Sequence, residues 1–357
     1  LTGVRPVWLA PEIDTRLGIA MGVSYATVER AVREHLEARA ALLIHPTYYG
    51  VTSELSAIAA HLHAHGMLLL TDSAHGAHFA FAEELPPSAM AVGADLSAES
   101  THKMLGSLTQ TSMLLARGGR VPPARIRAAS GVLQTTSPNE IFLAALDLAR
   151  EQMEEEGAER LGALIRRADD LRQRINDIPG LWAVGAEHMG APGMAALDRT
   201  KLTVQVMGLG MTGFAAEEEL RKQGIACELA DARNVLFLLS YADGAQETER
   251  LYAALHTMAE TCAPLCTSRG AGEAALCTLP PLPETALTPR EAYFARTEHV
   301  SVRHAVGRIA AETIVFYPPG IPVLAPGDVI DAATLRCLQT MRAIGARVVG
   351  AADASLD

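Results

Sequence analysis

Two residues of this chain are of types that could hold one cofactor between them. Asp72 closes the apolar run "MLLLTD", and Lys103 follows thirty-one residues later in "AESTHKMLGSLTQTSMLL", where the next charge is Arg117. A lysine beside apolar sequence either snorkels to water or serves as a neutral amine. A carboxylate and an amine at one place suit pyridoxal 5'-phosphate (PLP). The lysine supplies the Schiff-base nitrogen, a task that favours a desolvated amine, because burial penalises its charged form. The carboxylate pairs with the pyridine nitrogen and keeps it protonated, so that the ring accepts electrons from a substrate. Ala74, small and two residues past Asp72, lets a ring lie close to the backbone, and Ser100, Thr101 and His102 offer donors suited to a phosphate. Singly, each has a plainer role: Asp72 as a helix cap, His75 or His78 as a bonded core histidine, Ser100 in a turn. Their joint occurrence at strand ends is what points to PLP.

The elements that must position them read as a parallel α/β layer. "ALLIHP" (41–46) is a short apolar run stopped by proline, as in a buried parallel strand. Leu55, Ile58, Ala59 and Leu62 then recur at helical spacing up to Gly66, and "MLLLTD" (67–72) reads as the next buried strand. A right-handed crossover brings the ends of both strands to one sheet edge, where ligands bind in such folds. Tyr48, Tyr49 and Asp72 are therefore expected to face one crevice. "GADLSAES" reads as a further strand leading into Lys103, and "RPVWLAP" as a strand near the start. Residues 137–177 look like a charged helix pair leaving the first domain, and 181–261 like a smaller α/β layer. The proline-rich stretch 277–295 marks a second boundary. The division expected is 1–140 as the large cofactor domain, 141–262 as connecting helices and small domain, and 263–357 as a C-terminal domain.

A competing cofactor signal lies in "VQVMGLGMTGFAAEEELRKQG". Gly208, Gly210 and Gly213 spell G-x-G-x-x-G between strand and helix, and Glu228 lies twenty residues past Gly208, where a ribose-binding acid would be sought. A tight strand-to-helix turn explains the same glycines, and the "LDRTK" lead-in is polar for an element expected in mid-sheet. His61, His63 and His65 alternate along one helix and read as a solvated face, and no metal site is expected. The five scattered cysteines suit reduced thiols. A net charge of −11 leaves no basic surplus for nucleic acid. With hydrophobic residues at 49%, charged residues at 20% and no membrane-length apolar run, a soluble cytoplasmic protein is expected.

Taken together, "PTYYGVTSEL", "DSAHGAHF", "STHKMLGSLTQTSML", "QTTSPN" and "YPPGIPVLAPGD" resemble, in order, the Orn/Lys/Arg decarboxylases. The shorter type, without a receiver-like domain, fits best. The resemblance implies an α/β protein of PLP fold type I: a mostly parallel large-domain sheet with helices on both faces, a smaller α/β domain and a C-terminal domain. It implies Lys103 as the Schiff-base lysine, Asp72 as the pyridinium partner, Ala74 beneath the ring with His75 beside it, and Ser100 and His102 at the phosphate. Thr135 or Thr136, in the "QTTSP" loop, would reach the cofactor phosphate of a neighbouring subunit, which implies a homodimer or larger homo-oligomer with shared sites. Asp328, where relatives carry Glu, and Tyr48 are the expected substrate contacts. Relatives also carry a preceding segment with a Gly-Ser-Thr phosphate loop and a ring-stacking histidine, so the chain reads as N-terminally truncated. The implied reaction converts a small cationic amino acid (arginine, lysine or ornithine) into its amine, with His102 a candidate proton donor. An impaired remnant, and an aminotransferase or lyase on the same fold, are the alternatives.

Overall fold

The computed structural model describes residues 3–185, 187, 189–266, 282–317 and 320–352, without the side chains of 263–266. Its first sheet has four strands in the order Ala40–Ile44, Leu68–Asp72, Leu96–Glu99, Met113–Ala116. The first three run parallel and the last returns antiparallel. The helix Leu55–Ala64 makes the crossover and ends where Gly66 turns at φ +70°. It buries Ile58 and Leu62 against Leu43 and Leu69. Burying one such aliphatic side chain contributes about 1.5–3 kcal/mol. The first strand is an edge and not the buried strand expected: Leu42 and Ile44 are 67% and 61% exposed.

"RPVWLAP" is not a strand. Among the described residues no strand pairs with it, Val7 and Trp8 are exposed, and the first ladder is the short pair Ile13–Asp14 with Ile19–Ala20. Prolines at 6 and 11 lack the N–H that a ladder needs.

The expected helix pair is one helix, Glu140–Asn176, capped by Asn139. Gly157 does not break it, since a Cβ there would lie 3.1 Å from Phe81 Cβ, so the glycine serves close packing. The helix buries Met153, Leu161, Leu164, Ile165 and Ile175 with Val204, Phe237 and Leu255 of the second sheet and its helix. That sheet is antiparallel, in the order Leu229–Ala230, Asn234–Leu238, Lys201–Gln205, Trp182–Ala183. Helices Gly213–Lys222 and Ala245–Cys266 pack with it. A short ladder, Val51–Thr52 with Ala196–Leu197, joins the loop after the first strand to the segment before Lys201.

Beyond residue 281 a separate core gathers Ile314, Leu324, Leu335, Leu338 and Val348. It lies between a three-stranded sheet and the helix Ala332–Ala343. Pro318 and Pro319 of "YPPG", and residues 277–281 of the proline-rich stretch, lie outside the described residues, as do Cys277 and the Cys266 side chain. Cys227 is a free thiol. Among the described residues no helix is long and apolar enough to cross a membrane.

Candidate active site

Asp72 ends the second parallel strand, in register with Ile44 on one side and Ala98 on the other. Its side chain is exposed at the carboxyl edge, and Oδ1 accepts the N–H of Ala74 at 3.0 Å. The turn that follows closes tightly, because a Cβ at Gly76 would stand 2.8 Å from the His45 carbonyl.

Five residues after Ala98, Lys103 sits in the one-turn helix Thr101–Met104, its N–H donating to the Ser100 carbonyl at 3.2 Å. Lys103 is exposed, against the expectation of an apolar enclosure. The apolar neighbours Met104 and Leu105 are each 5% exposed; they anchor the turn into the core and leave the amine outward. Lys103 Nζ lies 3.2 Å from His75 Nε2.

His75 is buried, with its ring tilted against Tyr48 at 4.5 Å between centroids. Burial, then Lys201 and Lys103, pull its pKa down to about 2, so the imidazole is neutral. His102 Nδ1 lies 2.6 Å from the Thr111 carbonyl. A carbonyl only accepts, so Nδ1 carries the hydrogen and Nε2 the lone pair. Ser100 occupies the N-cap position without capping through its side chain. The Thr101 hydroxyl instead turns inward to Thr111 Oγ1, at 3.4 Å.

The two tyrosines part company. Tyr48 OH donates to Glu228 Oε1 at 2.6 Å, and burial, then Glu228, pushes its pKa well above the phenol range. Tyr49 turns away from the expected crevice into the seam with the second sheet, donating to Asp231 Oδ2 at 2.6 Å. Thr135 and Thr136 are exposed beyond the helix Pro123–Leu133, where Thr135 Oγ1 accepts the N–H of Ser137. Asp328 is buried at the far end of the chain and closes its own loop. It accepts from the Thr285 hydroxyl at 3.2 Å and the Ala325 N–H at 2.9 Å. The structure therefore gathers Asp72, Ala74, His75, Ser100, His102, Lys103 and Tyr48 about one sheet edge; Thr135 and Asp328 form their bonds with other partners.

Sequence reasoning missed what lies behind His75. Lys201 is 1% exposed, and its Nζ lies 2.9 Å from His75 Nδ1. Burial lowers its pKa to about 8, with Asp198 and Glu228 opposing and Lys103 adding to the fall. Asp198 is fully buried, takes the Thr200 hydroxyl at 2.7 Å and sits 3.1 Å from His78 Nε2. Burial pushes its carboxyl up, but the attraction of His78 and Lys201 more than offsets that and leaves it below the usual range. The signal was present in "LDRTK": an acid and a lysine three residues apart, opening an apolar strand.

The glycine-rich turn is closed by packing. A Cβ at Gly208 would meet the Gly180 carbonyl at 2.5 Å, and one at Gly213 the Asn234 carbonyl at 2.1 Å. The strand before it lies in an antiparallel sheet, and Glu228 is engaged by Tyr48, so the nucleotide reading does not hold. The helix histidines have separate partners: Tyr25 for His61, Asp95 for His63, and the His61 carbonyl for His65. Among the described residues no group of three or more His, Cys, Asp or Glu could hold a metal.

The donor set fits PLP. An exposed carboxylate at the end of one parallel strand and an exposed amine in the turn past the end of its neighbour share one sheet edge, with the small Ala74 between Asp72 and His75 in the chain.

The chain resembles known proteins along most of its length. The profile "Orn/Lys/Arg decarboxylase, major domain" matches residues 1–191, and "Orn/Lys/Arg decarboxylase, C-terminal domain" matches 273–352. An arginine decarboxylase of Bacillus subtilis is 38% identical over 99% of this chain and 72% of its own length. One from Halalkalibacterium halodurans is 39% identical over 99% and 71%. The constitutive lysine decarboxylase of Escherichia coli superposes with a TM-score of 0.77 at 20% identity, covering 96% of this chain. The chain spans about three fifths (61%) of that enzyme's length. The architecture is that of PLP fold type I enzymes, and the chain belongs to the Orn/Lys/Arg decarboxylase family.

Proposed function

We propose that the chain is a PLP-dependent decarboxylase of a basic amino acid, with arginine as its substrate. The observation that carries the reading is the placement of Asp72 at the end of one parallel strand and of Lys103 in the helical turn just past the end of the next, at one carboxyl edge. Arginine is favoured over lysine and ornithine by the names of the relatives with 38% and 39% identity. When bound, PLP supplies an electron sink for breaking the bond between Cα and the carboxylate. Lys103 is the residue to which the cofactor attaches. Asp72 holds the proton on the pyridine nitrogen, Ala74 leaves room for the ring, and the Ser100 hydroxyl and His102 serve the phosphate side. His102, with Nδ1–H tied to Thr111, has Nε2 as the atom that can hold or pass a proton to Cα. The products are carbon dioxide and agmatine, a precursor for polyamine metabolism.

A homodimer is part of the same reading. Val132, Leu133, Ile141, Leu143 and Leu148 are 83%, 87%, 69%, 53% and 63% exposed, and they bracket Thr135 and Thr136. Such a run of exposed apolar residues suits a second copy, with the "QTTSP" loop reaching the partner's cofactor.

The decisive assay measures carbon dioxide and amine from arginine, lysine and ornithine after PLP is added. Amino transfer without carbon dioxide would move the chain to the aminotransferases. A chain that forms no lysine-linked chromophore would be an impaired remnant. Lys103→Ala should abolish that chromophore, and a variant that kept it would sink the assignment. Asp72→Asn should keep the cofactor and lose most turnover. Sedimentation of the full chain tests the dimer.

A further inference from the structure

His102 owes its orientation to a neighbouring turn. Its Nδ1 lies 2.6 Å from the Thr111 carbonyl, which only accepts, so the neutral ring carries its hydrogen on Nδ1. Thr111 is 3% exposed and has every polar group in use. Its N–H donates to the Leu108 carbonyl at 3.2 Å, and its hydroxyl donates to the same carbonyl at 2.6 Å. With that hydrogen committed, the hydroxyl oxygen accepts from Ser107 Oγ at 2.5 Å and from Thr101 Oγ1 at 3.4 Å. A buried hydroxyl with its donor and both acceptor positions filled is not free to turn.

The turn that delivers Thr111 is strained. Leu108 to Thr111 closes an i→i+3 hydrogen bond, and the third residue, Gln110, stands at φ +77°. That is a type II turn, whose third position calls for glycine, because a side chain crowds the backbone at positive φ. Among the described residues Gln110 is the one residue other than glycine at positive φ. Strain of this kind persists where the surroundings over-determine the backbone. Here they hold the loop at both ends. Thr111 is fixed by its hydroxyl cluster, and the Tyr241 hydroxyl donates to the Leu105 carbonyl at 3.1 Å. Gly106, at φ +72°, leaves room for that tyrosine, since a Cβ there would lie 2.2 Å from its oxygen.

We propose that Thr111 is a positioning residue that acts through His102: the turn Leu108–Thr111 holds its carbonyl on Nδ1 and so reserves Nε2 as the one ring nitrogen that exchanges a proton. The inference rests on the PLP reading for its purpose, since that reading sets His102 at the phosphate side and near Cα. It does not rest on that reading for its geometry. A turn kept only for structure would leave the imidazole free to carry its hydrogen on either nitrogen.

The test is the nitrogen signature of His102 in the full chain without cofactor, read by two-bond 1H–15N correlation on histidine-labelled protein about two pH units above the usual imidazole range. Of the twelve histidines, His102 is the one whose signals vanish in His102→Gln. The native ring should show Nδ1 protonated and Nε2 bare. Thr111→Val removes the hydroxyl and keeps the branched shape. It should move the ratio of the two neutral forms about tenfold toward Nε2–H, the effect of losing one hydrogen bond. Thr111→Ser should restore the native signature. Gln110→Gly, which suits the turn, should keep it, and Gln110→Pro, with φ locked at about −65°, should lose it. Circular dichroism checks folding, and the proline at exposed Gln110 carries the test where the valine variant does not fold. A native ring bare at Nδ1, or a signature that both disruptive variants leave unchanged, overturns the proposal. Adding PLP to the same samples reads the cofactor assignment separately. Absence of a lysine-linked chromophore defeats that assignment, while the His102 signature still reports on the turn.

Discussion

Replacing Lys201 with methionine should make the protein more stable at neutral pH, although the lysine is buried among hydrogen-bonding groups. The native group falls from 10.5 to about 8 on folding, because loss of water outweighs the attraction of Asp198 and Glu228. At about 1.4 kcal/mol per pH unit, the fold bears ~3 kcal/mol for keeping that side chain charged. Methionine is apolar, adaptable in shape and of similar length. It forfeits the hydrogen bond to His75, worth about 1 kcal/mol. Asp198 loses one attraction but keeps His78 and the Thr200 hydroxyl. The net expectation is a gain of ~2 kcal/mol at pH 7.

The gain has a pH signature. Below about 8 both folded and unfolded chains protonate Lys201, and the full cost is present. Between there and the unfolded lysine's value near ~10.4, the unfolded chain holds a proton that the fold lacks, so native stability rises with pH. His75 does not titrate in that range, since its own pKa lies at about 2. Urea unfolding of both chains at pH 7 and pH 10 measures the gap, which should all but close at the higher pH. A variant weaker than native at pH 7, or a gap independent of pH, would refute the reasoning.

Other consequences are sharper in sign than in size. Below pH ~6.5 the unfolded His75 takes a proton that the folded one refuses, so the native chain loses about 1.4 kcal/mol per pH unit on that account. His75→Phe should flatten the fall of unfolding free energy between pH 6 and pH 4 by one proton, and an unaltered slope would contradict a neutral buried ring. Gly50→Ala forces a side chain into φ +86° and within 3.0 Å of Lys201 Cδ. Its cost should be about 1–3 kcal/mol, visible as a lower melting temperature; no change would mean the turn relaxes freely. Cys227, whose thiol burial pushes up to about 12, should resist iodoacetamide at pH 8 until urea is added. Rapid labelling in the folded chain would show it open to solvent.

The legible part of the site was the part built from local pattern. Apolar runs of strand length, a helix between them and Asp72 at the end of one run are enough to put Asp72 and Lys103 on one edge. Burial was less legible, because it depends on what covers an element. Leu42 and Ile44 look like a buried strand but lie on an open edge, and Met104 and Leu105 look like walls for Lys103 but are its anchor. The charged stretch 137–177 read as a helix pair but is one helix, whose Gly157 packs closely on Phe81. The contact of Lys201 with His75 was out of reach for a different reason. The two meet across 126 residues, through the short ladder of Val51–Thr52 with Ala196–Leu197, and two-residue strands carry no periodicity to detect.

The stability expected of Lys201→Met bears on why the residue is there. A lysine retained for structure should, when removed, lower stability and disturb everything that leans on it. The fold disfavours the charge on Lys201, yet holds that side chain 2.9 Å from an imidazole that also touches Lys103. Sites tuned for chemistry hold groups in forms that stability alone would reject. A variant more stable than native would therefore set Lys201 apart from scaffolding, and a weaker one would return it there.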